Sequence, residues 1–342
     1  ALDQGIEPCD YYPNELRTYQ SYKDWTPKNA NNEYGGYIPM KTALTHSINT
    51  VSVQLLFEAG LPKVVKTAKA LGINSPLNEV PSIVLGTSDI SLFDMVNAYA
   101  TIANDGVKRP LRAITKIEDQ NGNVLFEQSF EEEEEIDIDH DKIQLLKSMM
   151  KNVMQEGTGR RLYANYDIPY TIMGKTGTTQ NQSDGWFIGF SEDLVIGSWV
   201  GTHDRRIHFR NLGTGSGGRT ALPMVAALFE YVASTGNYAN EPFEENIIYE
   251  CPDVLTDEEY AYLQKYLEKQ SAEANEDIYS DLQNEIEKEQ RKEASRQRRA
   301  EERERVQKER EKRMKQIEKE KKKWERKLER LRKKAERKRR RN

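Results

Sequence analysis

Cysteine is nearly absent: the 342 residues contain two, Cys9 and Cys251. Two cysteines cannot define a disulfide framework, and the sequence leaves them free or bridged. No apolar run reaches the ~18–20 residues that span a bilayer. The start has no basic segment followed by an apolar one, so no secretory leader is legible. Several enzyme signatures are missing as well. His46, His140, His203 and His208 lack the H-E-x-x-H or Cys-paired spacing of a zinc site, so structural or surface roles are expected for all four and no metal is expected. G-x-S-x-G, which a Ser-His-Asp hydrolase of the α/β type would carry, does not occur. Gly215-Ser216-Gly217-Gly218 lacks the Lys-Ser/Thr of a phosphate-binding loop and reads as an ordinary loop. The first residue is Ala, and ALDQG looks like the middle of a helix, so residue 1 is expected to lie inside a longer protein.

What is present divides by charge. Hydrophobic residues make up 37% and charged residues 31%, and the mean hydropathy is −0.84, too polar for one compact globule of this length. The tail accounts for it. Residues 285–342 hold 28 Lys+Arg against 14 Asp+Glu, a net of +14, which leaves residues 1–284 at −19. From Ser271 onward, pairs such as Glu301–Arg305 and Glu304–Lys308 stand at i,i+4 in the favourable orientation, predicting a solvated helix. Met314, Ile317, Lys321, Trp324, Leu328, Leu331 and Ala335 follow a heptad for about three repeats, the lower edge of a coiled coil. The basic excess lacks aromatic interleaving and is half matched by acids, so nucleic acid is not an expected partner.

Along the body, residues 6–39 are rich in Tyr, Pro and Asn and read as an irregular surface loop. Leu44, Ile48, Val51, Leu55 and Leu56 recur at helical spacing and predict one helix through them. Helices are also predicted over 62–71, ending at Gly72, over 90–105, over Ile143–Val153 and over Pro223–Val232. Ala113–Asp119 and Val124–Gln128 flank Gln120-Asn121-Gly122-Asn123, a hairpin signal. Three further β-like runs are Tyr170–Met173, Trp186–Phe190 and Leu194–Val200, the last two pairing antiparallel across a Ser-Glu-Asp turn. Helices before and after antiparallel strands indicate an α+β fold.

The focal segment is Met173-Gly174-Lys175-Thr176-Gly177-Thr178-Thr179. Lys-Thr-Gly alone is a weak signal, but Ser47-Ile48-Asn49 lies upstream, in the order that Ser-x-Asn and Lys-Thr-Gly take in β-lactamases and penicillin-binding proteins, with Ile in place of Asp. Around these motifs, NEYGGYIPMKTALTHSINTVSVQLL, PSIVLGTSDISLFDMVNAYATIANDGV, MGKTGTTQNQSDGWFIGFSEDLVIGSWVG and TGSGGRTALPMVAALFEYV resemble, in fixed order, segments of class A penicillin-binding proteins. The resemblance covers about residues 1–235. It implies the penicillin-binding/β-lactamase-like fold, an antiparallel sheet flanked by helices, here without its first part.

The same resemblance implies roles. Ser47 would relay a proton, and Asn49 would hold the relay and contact the peptide. Lys175 would place positive charge near the substrate carboxylate, and Thr176 and Thr178 would offer it hydroxyls. The Thr178 N–H would be half of the oxyanion hole, with Gly174 and Gly177 permitting close approach. The one Ser-x-x-Lys present, Ser148-Met149-Met150-Lys151, follows Ser47-Ile48-Asn49 instead of preceding it, so it is rejected and the nucleophile is expected outside this chain. Implied ligands are peptidoglycan stem peptides and β-lactams, with no cofactor. A membrane anchor and a glycosyltransferase domain are implied outside the chain, in the bacterial envelope. A D,D-carboxypeptidase and a non-catalytic wall-peptide-binding module are the alternatives. The expected domains are 1–235, an acidic connection over 236–284, and a basic helix over 285–342 that could meet anionic envelope components or a helical partner.

Overall fold

A computed structural model describes residues 1–128, 133–236 and 251–273; the basic helix and heptad expected over 285–342 lie outside the described residues. Among those described, no helix is long and apolar enough to cross a membrane. The stretch expected to be irregular opens and closes with two short strands, β1 (Tyr11–Pro13) and β2 (Tyr37–Pro39), paired antiparallel with Tyr12 opposite Ile38. Buried amides fix the loop between them. Asn29 donates to the Asn14 side chain at 2.8 Å, and the Thr50 hydroxyl donates to the same oxygen at 2.7 Å. Paired this way, the polar groups satisfy one another out of water.

The helix predicted through Leu44 and Leu56 is broken. It forms α1 (Met40–His46) and α2 (Asn49–Ala59), because Ser47 adopts φ 58, ψ 51, the left-handed region. Helical periodicity survives across the break, so the pattern alone reads as continuous. Next come α3 (Leu61–Ala70) and α4 (Leu92–Ala103). The Ser91 hydroxyl caps α4 by accepting the Asp94 N–H. Gly72 after α3 has φ 113, and a Cβ there would lie 2.4 Å from the Asn97 side chain. A small peripheral strand pair, β3 (Val107–Lys108) with β6 (Glu134–Glu135), brackets the predicted hairpin, β4 (Lys116–Glu118) and β5 (Val124–Glu127). The hairpin turn is held by Asp119, which accepts the Asn121 and Asn123 N–H groups.

Helices α5 (His140–Gln155) and α6 (Arg161–Asn165) lead into the central antiparallel sheet, β7 (Met173–Thr178), β8 (Asp184–Phe190) and β9 (Val195–Gly201), in the order β7-β8-β9. Thr176 stands opposite Phe187, and Trp186 opposite Trp199. The strand predicted at Tyr170–Met173 therefore starts later and contains the whole Lys-Thr-Gly motif. Two short helical turns, α7 (Leu212–Gly215) and α8 (Gly217–Thr220), precede α9 (Leu222–Ser234). Alternation along β8 sends Phe187 toward a core with Leu222, Val225 and Phe229 of α9. Phe190 turns toward one with Ile102 of α4, Met150 of α5 and Met173. Helices thus cover both faces of the sheet, as expected.

One compact unit spans Ala1–Ala261. Within it Cys251 is bridged to Cys9, and Leu255 pairs in antiparallel fashion with Tyr37. Helix α10 (Asp257–Glu273) follows.

Candidate active site

Among the described residues β7 is an edge strand, with a neighbouring strand on one side of its backbone only. Its glycines are dictated by close approach. A Cβ on Gly174 would lie 2.5 Å from the Ile188 carbonyl oxygen. Opposite the motif, Gly217 presses so near that a Cβ would meet the Gly177 and Trp186 carbonyl oxygens at 2.3 Å. That closeness lets the Gly217 N–H donate to Thr178 Oγ1 at 3.0 Å. The exposed Thr178 keeps its own O–H free to donate elsewhere.

Lys175 is half-buried and donates from Nζ to the Thr176 carbonyl at 3.1 Å. Burial lowers its pKa to about 8, because an ammonium removed from water is disfavoured. Thr176 donates its hydroxyl to Thr158 Oγ1 at 2.7 Å. Thr158 in turn donates its N–H to the Thr45 carbonyl at 3.2 Å. This contact requires Gly157, where a Cβ would lie 2.2 Å from that same Thr45 oxygen. Thr158 therefore links β7 to α1, the helix that ends at Ser47. The sequence shows Gly157-Thr158-Gly159 only as a helix stop; its two glycines were the available sign of a tight approach.

Ser47 and Asn49 stand at the α1–α2 junction. With Thr158, Lys175, Thr176 and Thr178 they line one cleft of 2020 Å³. Gly177 borders it as well, whereas Gly174 does not. Asn49 Nδ2 donates to the Lys28 carbonyl at 2.7 Å, so its amide ties the junction to the β1–β2 loop. The turn after Thr178 is held by Thr179, whose hydroxyl accepts the Asp184 N–H at 3.0 Å, across Asn181 and Gln182 at positive φ. Burial raises the pKa of the Asp184 carboxyl, and its Oδ1 has no hydrogen-bond partner among the described residues. All four histidines are exposed, and His46 and His203 border the cleft. Ser148 is 0% exposed, inside α5.

An edge strand carrying Lys-Thr-Gly, a Ser-x-Asn turn facing the same cleft, and helices on both faces of an antiparallel sheet together define the penicillin-binding transpeptidase fold. The chain belongs to the family of the penicillin-binding protein transpeptidase domain, which it matches over residues 1–200, and within it to the class A type. It is 36% identical to penicillin-binding protein 1A of Aquifex aeolicus, over 66% of this chain and 30% of that protein. The chain thus spans about a third of that relative's length. Penicillin-binding protein 1A from Haemophilus influenzae shares the fold with a TM-score of 0.63 at 21% identity, over 71% of this chain and 41% of that one. So does PonA1 from Mycobacterium tuberculosis in complex with penicillin V, with a TM-score of 0.60 at 24% identity, over 75% and 71%.

Proposed function

We propose that residues 1–261 form the substrate-gripping part of a peptidoglycan D,D-transpeptidase. A serine supplied outside this chain would attack the D-Ala-D-Ala amide of a stem peptide and expel the terminal D-Ala. A neighbouring peptide's amine would then attack the ester and return the proton to the serine. The observation that carries this reading is the shared cleft: Lys175, Thr176 and Thr178 on β7 face the same space as Ser47 and Asn49. Ser47 would pass the proton between nucleophile and leaving amine. Lys175, charged below about pH 8, would hold the substrate's terminal carboxylate. The free hydroxyl proton of Thr178 suits that carboxylate. The Thr176 proton is committed to Thr158, so the Thr158 hydroxyl, whose proton remains, is the second donor. Residues 285–342 would act as a tether or docking surface toward anionic envelope components, with the protein on the extracytoplasmic face of the membrane.

Labelled penicillin tests the reading. The longer protein should gain one acyl group by intact mass, on a serine upstream of Ala1, and residues 1–342 alone should gain none. Labelling of this chain, at Ser148 or elsewhere, would refute it. In the longer protein, product analysis with water and amine as competing acceptors separates transpeptidase from carboxypeptidase.

A further inference from the structure

α1 has seven residues, too few to hold its own place, since helices this short are marginal without tertiary support. Its position is nevertheless critical, because its C-terminal residue is followed directly by Ser47 in a left-handed conformation. Thr158 holds the C-terminal half of α1 through the Thr45 carbonyl; support for the first turn comes from both ends of the compact unit. At the N-terminus of α1, Pro39 provides no side-chain cap. The orphan N–H groups of Met40 and Lys41 donate instead to the carbonyls of Asp10 and Pro8, each at 3.0 Å. Those carbonyls flank Cys9, and Cys9 is bridged to Cys251, 242 positions away.

The segment after Cys251 then grips the same helix. Asp253 accepts the Thr42 hydroxyl at 3.0 Å and pairs with Lys41 Nζ at 3.2 Å. The Tyr11 hydroxyl donates to the Pro252 carbonyl at 2.7 Å. Leu255 and Tyr37 exchange backbone hydrogen bonds at 2.8 and 2.9 Å, and the Tyr37 and Tyr260 rings stack at 3.7 Å. Gly36 leaves room for this strap, since a Cβ there would meet Val254 at 2.8 Å.

We infer that the disulfide and Asp253 form a clamp that positions Ser47-Ile48-Asn49 by fixing the first turn of α1. Asp253 touches no reacting group; it is a positioning residue acting through Lys41 and Thr42. The relay would then assemble only where the bridge persists, in an oxidising compartment. This inference rests on the proposed transpeptidase reading for its effect on acylation, but not for its effect on α1.

Two arms test it. In residues 1–342, reduction with a phosphine, or Cys9→Ser with Cys251→Ser, should speed amide exchange of Thr42–Thr50 at least tenfold and leave β7 and β8 unchanged. In the longer protein, the same treatments and Asp253→Asn should lower the penicillin acylation rate constant about tenfold or more. The non-covalent dissociation constant, set by β7, should stay within twofold, and reoxidation should restore the rate. Uniform loosening of the whole unit would overturn the clamp and make the bridge merely structural. Unchanged α1 exchange with both thiols demonstrably free would overturn it as well. If neither the oxidised nor the reduced protein is acylated, the transpeptidase reading fails, and the exchange arm alone decides the clamp.

Discussion

Lys175 is held where its charge is least comfortable and most useful. Burial brings its pKa from 10.5 to about 8. Below that value the folded protein carries a partly desolvated ammonium at the cleft wall. Above it the site is neutral while the unfolded chain stays protonated up to about 10.5. This group therefore raises folding stability as pH climbs from about 8 to 10.5, where the unfolded state binds more protons. Ligand capture moves the other way, because a carboxylate loses its counter-charge over the same rise. The second-order acylation constant of the longer protein by an anionic β-lactam should fall between pH 7 and 9. In Lys175→Arg, whose guanidinium stays charged, that fall should disappear even if the absolute rate is lower. Identical pH profiles for the two would place the titrating group elsewhere.

Elements are fixed here by a few unusual groups within ordinary patterns. Lys147 on α5 is 0% exposed and binds Asp105 at 2.8 Å, Glu192 at 2.9 Å and the Ala103 carbonyl at 3.3 Å. It ties α5 to the end of α4 and to the β8–β9 turn, which orders the sheet behind Lys175. Lys147→Met removes the buried cation from two part-exposed carboxylates and takes a partner from Glu192, whose Oε1 has none among the described residues. Because both carboxylates keep contact with water, the expected loss is about 1.5–3 kcal/mol in chemical denaturation, the scale of hydrogen bonds to charged groups; a loss below about 0.5 kcal/mol would mean the network relaxes at little cost. The sequence could not reveal this, because a Lys at a helix position normally reads as surface. Periodicity did reveal α3, α4, α5 and α9, and Asn121-Gly122 marked the β4–β5 turn. It failed at Ser47, because apolar spacing records which side of the chain is buried, not a single residue at positive φ. A polar motif within a helical pattern was the one local hint of a break, since strained backbone collects at functional turns.

Over the whole molecule, the parts least legible in the sequence are those joined over long separations. The Lys-Thr-Gly and Ser-x-Asn motifs could be named from the chain, and the structure brings both to one cleft. The Thr45–Thr158–Thr176 chain that joins them could not be, because each contact pairs residues 18 or more positions apart. Likewise, Cys9 and Cys251 carry no spacing signal, yet they are bridged, and Asp253 two residues on meets Lys41 and Thr42 of α1. The charge divide remained visible throughout: an acidic body with a single concentrated basic segment beyond it. This body is proposed to present one carboxylate-binding surface on β7 beside a Ser47 relay. A crystal structure of the longer protein acylated by penicillin tests that most directly. The drug's carboxylate should lie within hydrogen-bonding distance of the Thr178 and Thr158 hydroxyls and near Lys175 Nζ, with Ser47 Oγ facing the acylated serine. A carboxylate bound away from β7, or an acyl group on Ser148, would contradict it.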